Sequence, residues 1–116
     1  MAGLWLDFFT REEKADAIEN LDGKEFRSWI SAGAGIIPNV EVLVSGAQVR
    51  YHYEGASRAI DVLTISRWYL VIYPTGRALR VLRNDGTRVD FVTPYAHRLK
   101  VYIDDLHQVR SAAGAE

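Results

Sequence analysis

Asn84-Asp85-Gly86 stands between two segments that interleave apolar and charged residues, 79–83 (Leu-Arg-Val-Leu-Arg) and 88–92 (Arg-Val-Asp-Phe-Val). A turn in that setting commits the chain to an antiparallel hairpin, and its length decides which side chains meet. A two-residue loop at Asp85-Gly86 sets Arg83 opposite Arg88 and Val81 opposite Asp90. A three-residue loop with Gly86 in the left-handed conformation sets Val81 on Val89, Arg80 on Asp90 and Leu79 on Phe91. Like charges directly opposed destabilise a strand pair, and a slip of one residue turns every side chain to the wrong face. The three-residue loop is therefore expected. The same logic at Pro74-Thr75-Gly76 puts Val71 on Leu79 and Tyr69 on Val81, so that Tyr69 points into the core while Trp68 and Arg80 share the other face.

Further strands precede these hairpins. Pro38 and Asn39 open a segment over 40–44, which Ser45-Gly46 turns. Val49, Tyr51 and Tyr53 alternate with Gln48, Arg50 and His52, the pattern of a strand with one buried face. A turn at 54–57 leads to a strand over 58–65. Residues 67–73 carry aromatic and β-branched side chains on both faces, which predicts a central strand. Alternation over 98–103, with Leu99, Val101 and Ile103 inward, predicts the last strand.

The first third reads as helical. Thr10-Arg11-Glu12-Glu13 fits a capping box, and Ala15, Ile18 and Leu21 follow at a spacing of three. Asp22 is placed to cap a second segment in which Phe26, Trp29 and Ile30 share a face, and Gly33 and Gly35 end it. Trp5, Phe8 and Phe9 either tuck under the sheet or form a partner-binding patch. The expected architecture is one α+β domain over 1–110, helical over 1–35 and β-rich over 36–110, with a tail over 111–116. Short N-terminal helices pack on a strongly curved antiparallel sheet, or on a small SH3/Sm-like barrel, of about six strands.

Composition narrows the function classes. With 48% apolar and 11% aromatic residues in 116, the chain can build a core, which excludes a disordered or collagen-like segment. No apolar run reaches the ~18–20 residues of a membrane span. The absence of cysteine excludes disulfides and thiolate metal sites and suits a reducing cytoplasm. Neither a phosphate loop nor a dinucleotide fingerprint is present. His52, His97 and His107 lack the spacing that puts two nitrogens on one metal ion, so neither cofactor nor metal is expected.

Residues 49–55 (Val-Arg-Tyr-His-Tyr-Glu-Gly) followed by Ser66-Arg67-Trp68-Tyr69-Leu70-Val71-Ile72-Tyr73 resemble the WYL domain, an Sm-like small barrel of bacterial regulators named for its Trp-Tyr-Leu triplet. Residues 98–109 are loosely similar to that family's closing strand and turn. The resemblance does not extend to 1–46, and the hairpins over 77–92 are additional to the family's pattern. It implies a non-enzymatic sensor or regulator of nucleotide-like or nucleic-acid ligands.

Charge is uneven along the chain. Residues 1–57 hold five basic and nine acidic side chains, whereas 58–110 hold nine basic and five acidic. Either the two halves neutralise each other or the basic one meets an anionic partner. Arginines number eleven against three lysines, so the positive charge comes as planar forks able to grip phosphate. Arg67, Arg80 and Arg88 are expected to supply charge and Trp68 a stacking surface, for nucleic acid or a nucleotide. Arg77, Arg83 and Arg98 belong to the same basic stretch. The alternative is a protein-interaction module, such as a small phage- or plasmid-type inhibitor or a homo-oligomeric assembly subunit. A metal-free ribonuclease built on His52, Arg50 and a tyrosine ranks third.

Overall fold

The computed structural model describes Ala15 and residues 20–32, 35–53 and 55–114. Seven antiparallel strands run in chain order: β1 (Lys24–Ser31), β2 (Ile36–Ser45), β3 (Gln48–Tyr53), β4 (Ala56–Asp61), β5 (Ile65–Tyr73), β6 (Gly76–Arg83) and β7 (Arg88–Val92). A single-turn 3-10 helix, Val62–Thr64, joins β4 to β5, and one α-helix, α1 (Ala96–Gly114), follows the sheet. The spatial order is β4-β3-β2-β1-β7-β6-β5, so two meanders meet where β1 pairs with β7.

This order dictates the curvature. The strands joined by Val62–Thr64 are the two edges of the sheet. Laid flat, six inter-strand steps would separate them by about 29 Å. The link from Asp61 to Ile65 reaches only about 14 Å when fully extended. The sheet must therefore curl into a half-barrel, and its concave face becomes the core. Ile30, Val42, Val49, Leu79 and Phe91 meet there, and Leu99 and Ile103 of α1 close the opening.

The expected helical N-terminal third is corrected where the structure describes it, in its second segment. The segment assigned to a second helix is β1, with Phe26, Ser28 and Ile30 inward and Trp29 outward. The polar Ser28 hides the period-two pattern; its hydroxyl donates to the Trp29 carbonyl at 2.9 Å and the Val92 carbonyl at 3.4 Å. Pairing with β2 and β7 then outweighs local helical spacing. The first helix over 10–21 lies outside the described residues, apart from helical, buried Ala15 and buried Leu21. The same holds for Trp5, Phe8 and Phe9.

Among the described residues the full-length helix lies at the C-terminal end. Residues 98–103, expected as a strand, form the start of α1, and the helix runs on to Gly114 through the expected tail. Ala96, Leu99 and Ile103 recur at helical spacing on its buried side. Thr93-Pro94 starts it: Thr93 Oγ1 accepts from the Tyr95 amide at 3.3 Å, and proline tolerates the first turn. Tyr102 ties the helix to the sheet, its hydroxyl donating to Asp22 at 3.1 Å and accepting from the Ala47 amide at 3.2 Å.

The two hairpin expectations part company. β6 and β7 pair as expected, Leu79 on Phe91, Arg80 on Asp90 and Val81 on Val89, with Gly86 at φ 88°. The β5–β6 loop has two residues, because Tyr73 pairs with Gly76, and this shifts the expected register by one. Trp68 now opposes Val81 and Leu70 opposes Leu79 on the concave side, while Tyr69 opposes Arg80 on the convex side. The reason is hydrogen bonding. A half-buried phenol or indole gains from a partner, and this register gives Tyr73 the Asp90 carboxylate and Trp68 the Asp104 carboxylate of α1. Finally, among the described residues β5 is an edge strand and not a central one.

Candidate anion-binding face

Opposed residues of an antiparallel pair point to the same side, so the convex face of β5–β6–β7–β1 can be read row by row. Arg67, Leu82 and Arg88 form one row. Tyr69, Arg80, Asp90 and Ser31 form the next, followed by Val71, Ala78, Val92 and Trp29. Arg67 and Arg88 therefore flank Leu82, two strand spacings or about 10 Å apart at the backbone. Arg80 sits one row below, between them.

Arg80 is held by Asp90. Its Nε donates to Oδ1 at 3.0 Å and its Nη2 to Oδ2 at 3.0 Å, a two-pronged pairing, and the Tyr73 hydroxyl donates to Oδ2 as well. Asp90 is fully buried, whereas the Arg80 side chain keeps 26% of its surface in water. Burial alone pushes the Asp90 carboxyl up; the hydrogen bonds from Arg80 and Tyr73 and the nearby guanidinium charges outweigh it and leave it below the usual carboxylate value. The Arg80 guanidinium is correspondingly stabilised in its charged form, first by Asp90 and then by Tyr69.

The four residues singled out by sequence thus divide. Arg67 and Arg88 are exposed on the convex face, and Arg67 lies over the Tyr69 ring, 5.6 Å from its centroid. Arg80 is on the same face with its charge matched by Asp90. Trp68 faces the other, concave side: its indole N–H donates to Asp104, which also pairs with Lys100 at 2.8 Å, and its ring stacks on His107 at 4.4 Å. Three rings take its place on the convex face, Tyr69, Tyr73 and Trp29, the last 39% exposed. Opposition to Arg80 would have revealed Tyr69 had the loop length been read correctly. Trp29 was concealed by the helical reading of β1.

The remaining basic residues do not join this platform. Arg77 turns to the Pro94 carbonyl, donating from Nε at 3.2 Å. Arg83 lies at the far end of β6 with its Nε buried, and Arg98 belongs to α1.

A second polar row crosses the convex face of β1–β4, where Arg27, Glu41, His52 and Ser57 oppose one another in turn. His52 Nδ1 and Ser57 Oγ are 3.0 Å apart. Nearby, a hydrogen bond and repulsion from Glu41, with a little burial, raise the Glu25 carboxyl above its ordinary value. An open depression of about 500 Å³ covers this region, lined by Glu25, Glu41, Arg50 and His52 among others. Among the described residues, no group of three His, Asp or Glu side chains is arranged to hold a metal ion. No described helix is long and apolar enough to cross a membrane.

No known family model matches this chain, and no curated protein matches it.

Proposed function

We propose that this chain is a cytoplasmic, non-catalytic binding module that takes an anionic ligand, nucleic acid or a nucleotide, on the convex face of β5–β7. Arg67 and Arg88 supply the charge, with Tyr69 and Trp29 as ring surfaces and Arg80 as a fixed support beneath them. The observation carrying this reading is the Arg67–Leu82–Arg88 row: two exposed guanidinium groups on one pleated surface, where Asp90, the one carboxylate among the described convex-side residues of β5–β7, is already paired with Arg80. Planar guanidinium groups match phosphate oxygens, and exposed rings offer bases a sequence-tolerant surface. The resemblance to the WYL domain supports the same reading through the regulator role it implies.

NMR titration with a short single-stranded oligonucleotide, and separately with a nucleoside triphosphate, tests it. The Arg67 and Arg88 side-chain resonances and the amides of β5–β7 shift, while the Trp68 indole N–H, bonded to Asp104, stays in place. Shifts confined to the Arg50 and Arg58 side of the sheet, or no shifts with either ligand, would refute the assignment.

A further inference from the structure

The edges of the sheet are built differently. β4 has six residues, including Arg58 and Asp61, the short and charged kind of edge that discourages further pairing. β5 has nine residues, Ile-Ser-Arg-Trp-Tyr-Leu-Val-Ile-Tyr, with Arg67 its single charge and no proline. Its composition is that of a central strand, yet among the described residues nothing pairs with its outer side. Ile72 is 84% exposed and Leu70 38%. A long, apolar strand with a free row of N–H and C=O groups is a template for another strand.

We propose that β5 is the interface for a second copy of this chain, two β5 strands pairing antiparallel about a two-fold axis at Leu70. The residues that would face each other, and the separation of the like charges, favour this occupant. With the axis at Leu70, Trp68 opposes the partner's Ile72, Tyr69 opposes the partner's Val71, and Arg67 opposes the partner's Tyr73. Each pair joins residues from the same face of the sheet, as antiparallel pairing requires. Ile72 gains an aromatic neighbour, and the guanidinium gains a ring. The two Arg67 side chains stand six residues apart along the pair, about 20 Å, which exceeds a Debye length at physiological salt. Pairing β5 with a partner's β4 would instead meet that edge's charges and give a head-to-tail contact that need not close. The two-fold pairing is closed, and it makes one continuous convex face from the Arg67–Leu82–Arg88 rows of both copies. The interface does not depend on what that face binds.

The chain has no cysteine, so a single introduced thiol reports the axis directly. Residues opposed across an antiparallel pair have Cα atoms about 4.5–5.5 Å apart, within disulfide range. Under mild oxidation Leu70→Cys gives a covalent dimer, and Ser66→Cys, whose symmetry mate lies far along the strand, does not. Sedimentation velocity on the unmodified chain shows a dimer that Ile72→Lys converts to monomer and that Ala59→Lys on the β4 edge leaves intact; circular dichroism checks that each variant is folded. A wild-type monomer at every concentration overturns the proposal. So does a dimer that survives Ile72→Lys while Leu70→Cys fails to cross-link, or one that Ala59→Lys breaks and Ile72→Lys does not.

Discussion

Asp90 organises the convex face at the level of single residues. It is buried under Arg80 and Tyr73, so Asp90→Asn leaves a guanidinium half-satisfied and a phenol with a weaker acceptor. Because Arg80 is partly in water, the expected loss is moderate, about 1–3 kcal/mol by urea denaturation. The folded carboxyl has a lowered pKa, so its contribution is present above about pH 4 and disappears as pH falls through the folded value. Stability curves of wild type and Asp90→Asn should therefore converge below pH 4. Glu25 has the opposite sign. Its hydrogen bond to Glu41 raises its pKa, so its contribution is present at low pH and lost as pH rises through that value. Glu25→Gln is expected to raise Tm slightly at pH 7 and to have no effect at pH 3.

Among the elements, α1 is anchored at its start by Thr93. Thr93→Ala removes the acceptor for the Tyr95 amide and the hydroxyl that donates to the Arg27 carbonyl at 3.0 Å. Thermal melts should show a loss of about 1–2 kcal/mol. The β6–β7 hairpin was fully legible in the sequence, because its wrong register would have opposed Arg83 to Arg88. At the β5–β6 hairpin, charge offered no such test. The answer depended on Asp104, a residue thirty-six positions from Trp68, and on α1 being a helix. That helix was obscured because Leu99, Val101 and Ile103 also alternate, although Thr93-Pro94 and the wider spacing of Ala96, Leu99 and Ile103 marked it. Ser28 disguised β1 in a comparable way: one polar residue facing inward left Phe26, Trp29 and Ile30 to suggest a helical face.

Across the whole molecule, the curl of the sheet separates two chemistries. On the concave side α1 holds the Trp68 ring, hydrogen-bonded to Asp104 and stacked on His107. The convex side collects Arg67, Arg80 and Arg88, three of the four residues expected from sequence, together with Tyr69, expected in the core, and Trp29, expected on a helix. The basic stretch over 67–100 is consequently not one patch. Arg77, Arg83 and Arg98 leave the platform, and Asp90 neutralises Arg80, so Arg67 and Arg88 are left to carry the electrostatics. Binding of a fluorescent single-stranded oligonucleotide, followed by anisotropy as a function of salt, tests this most directly. Each phosphate contact on a single strand contributes about 0.7 to the slope of log K against log salt. Arg67→Ala with Arg88→Ala is expected to weaken binding and flatten the slope by roughly 1.4, two contacts' worth, while Trp68→Phe leaves it unchanged. Binding insensitive to salt, or a slope unaltered in the double variant, would contradict it.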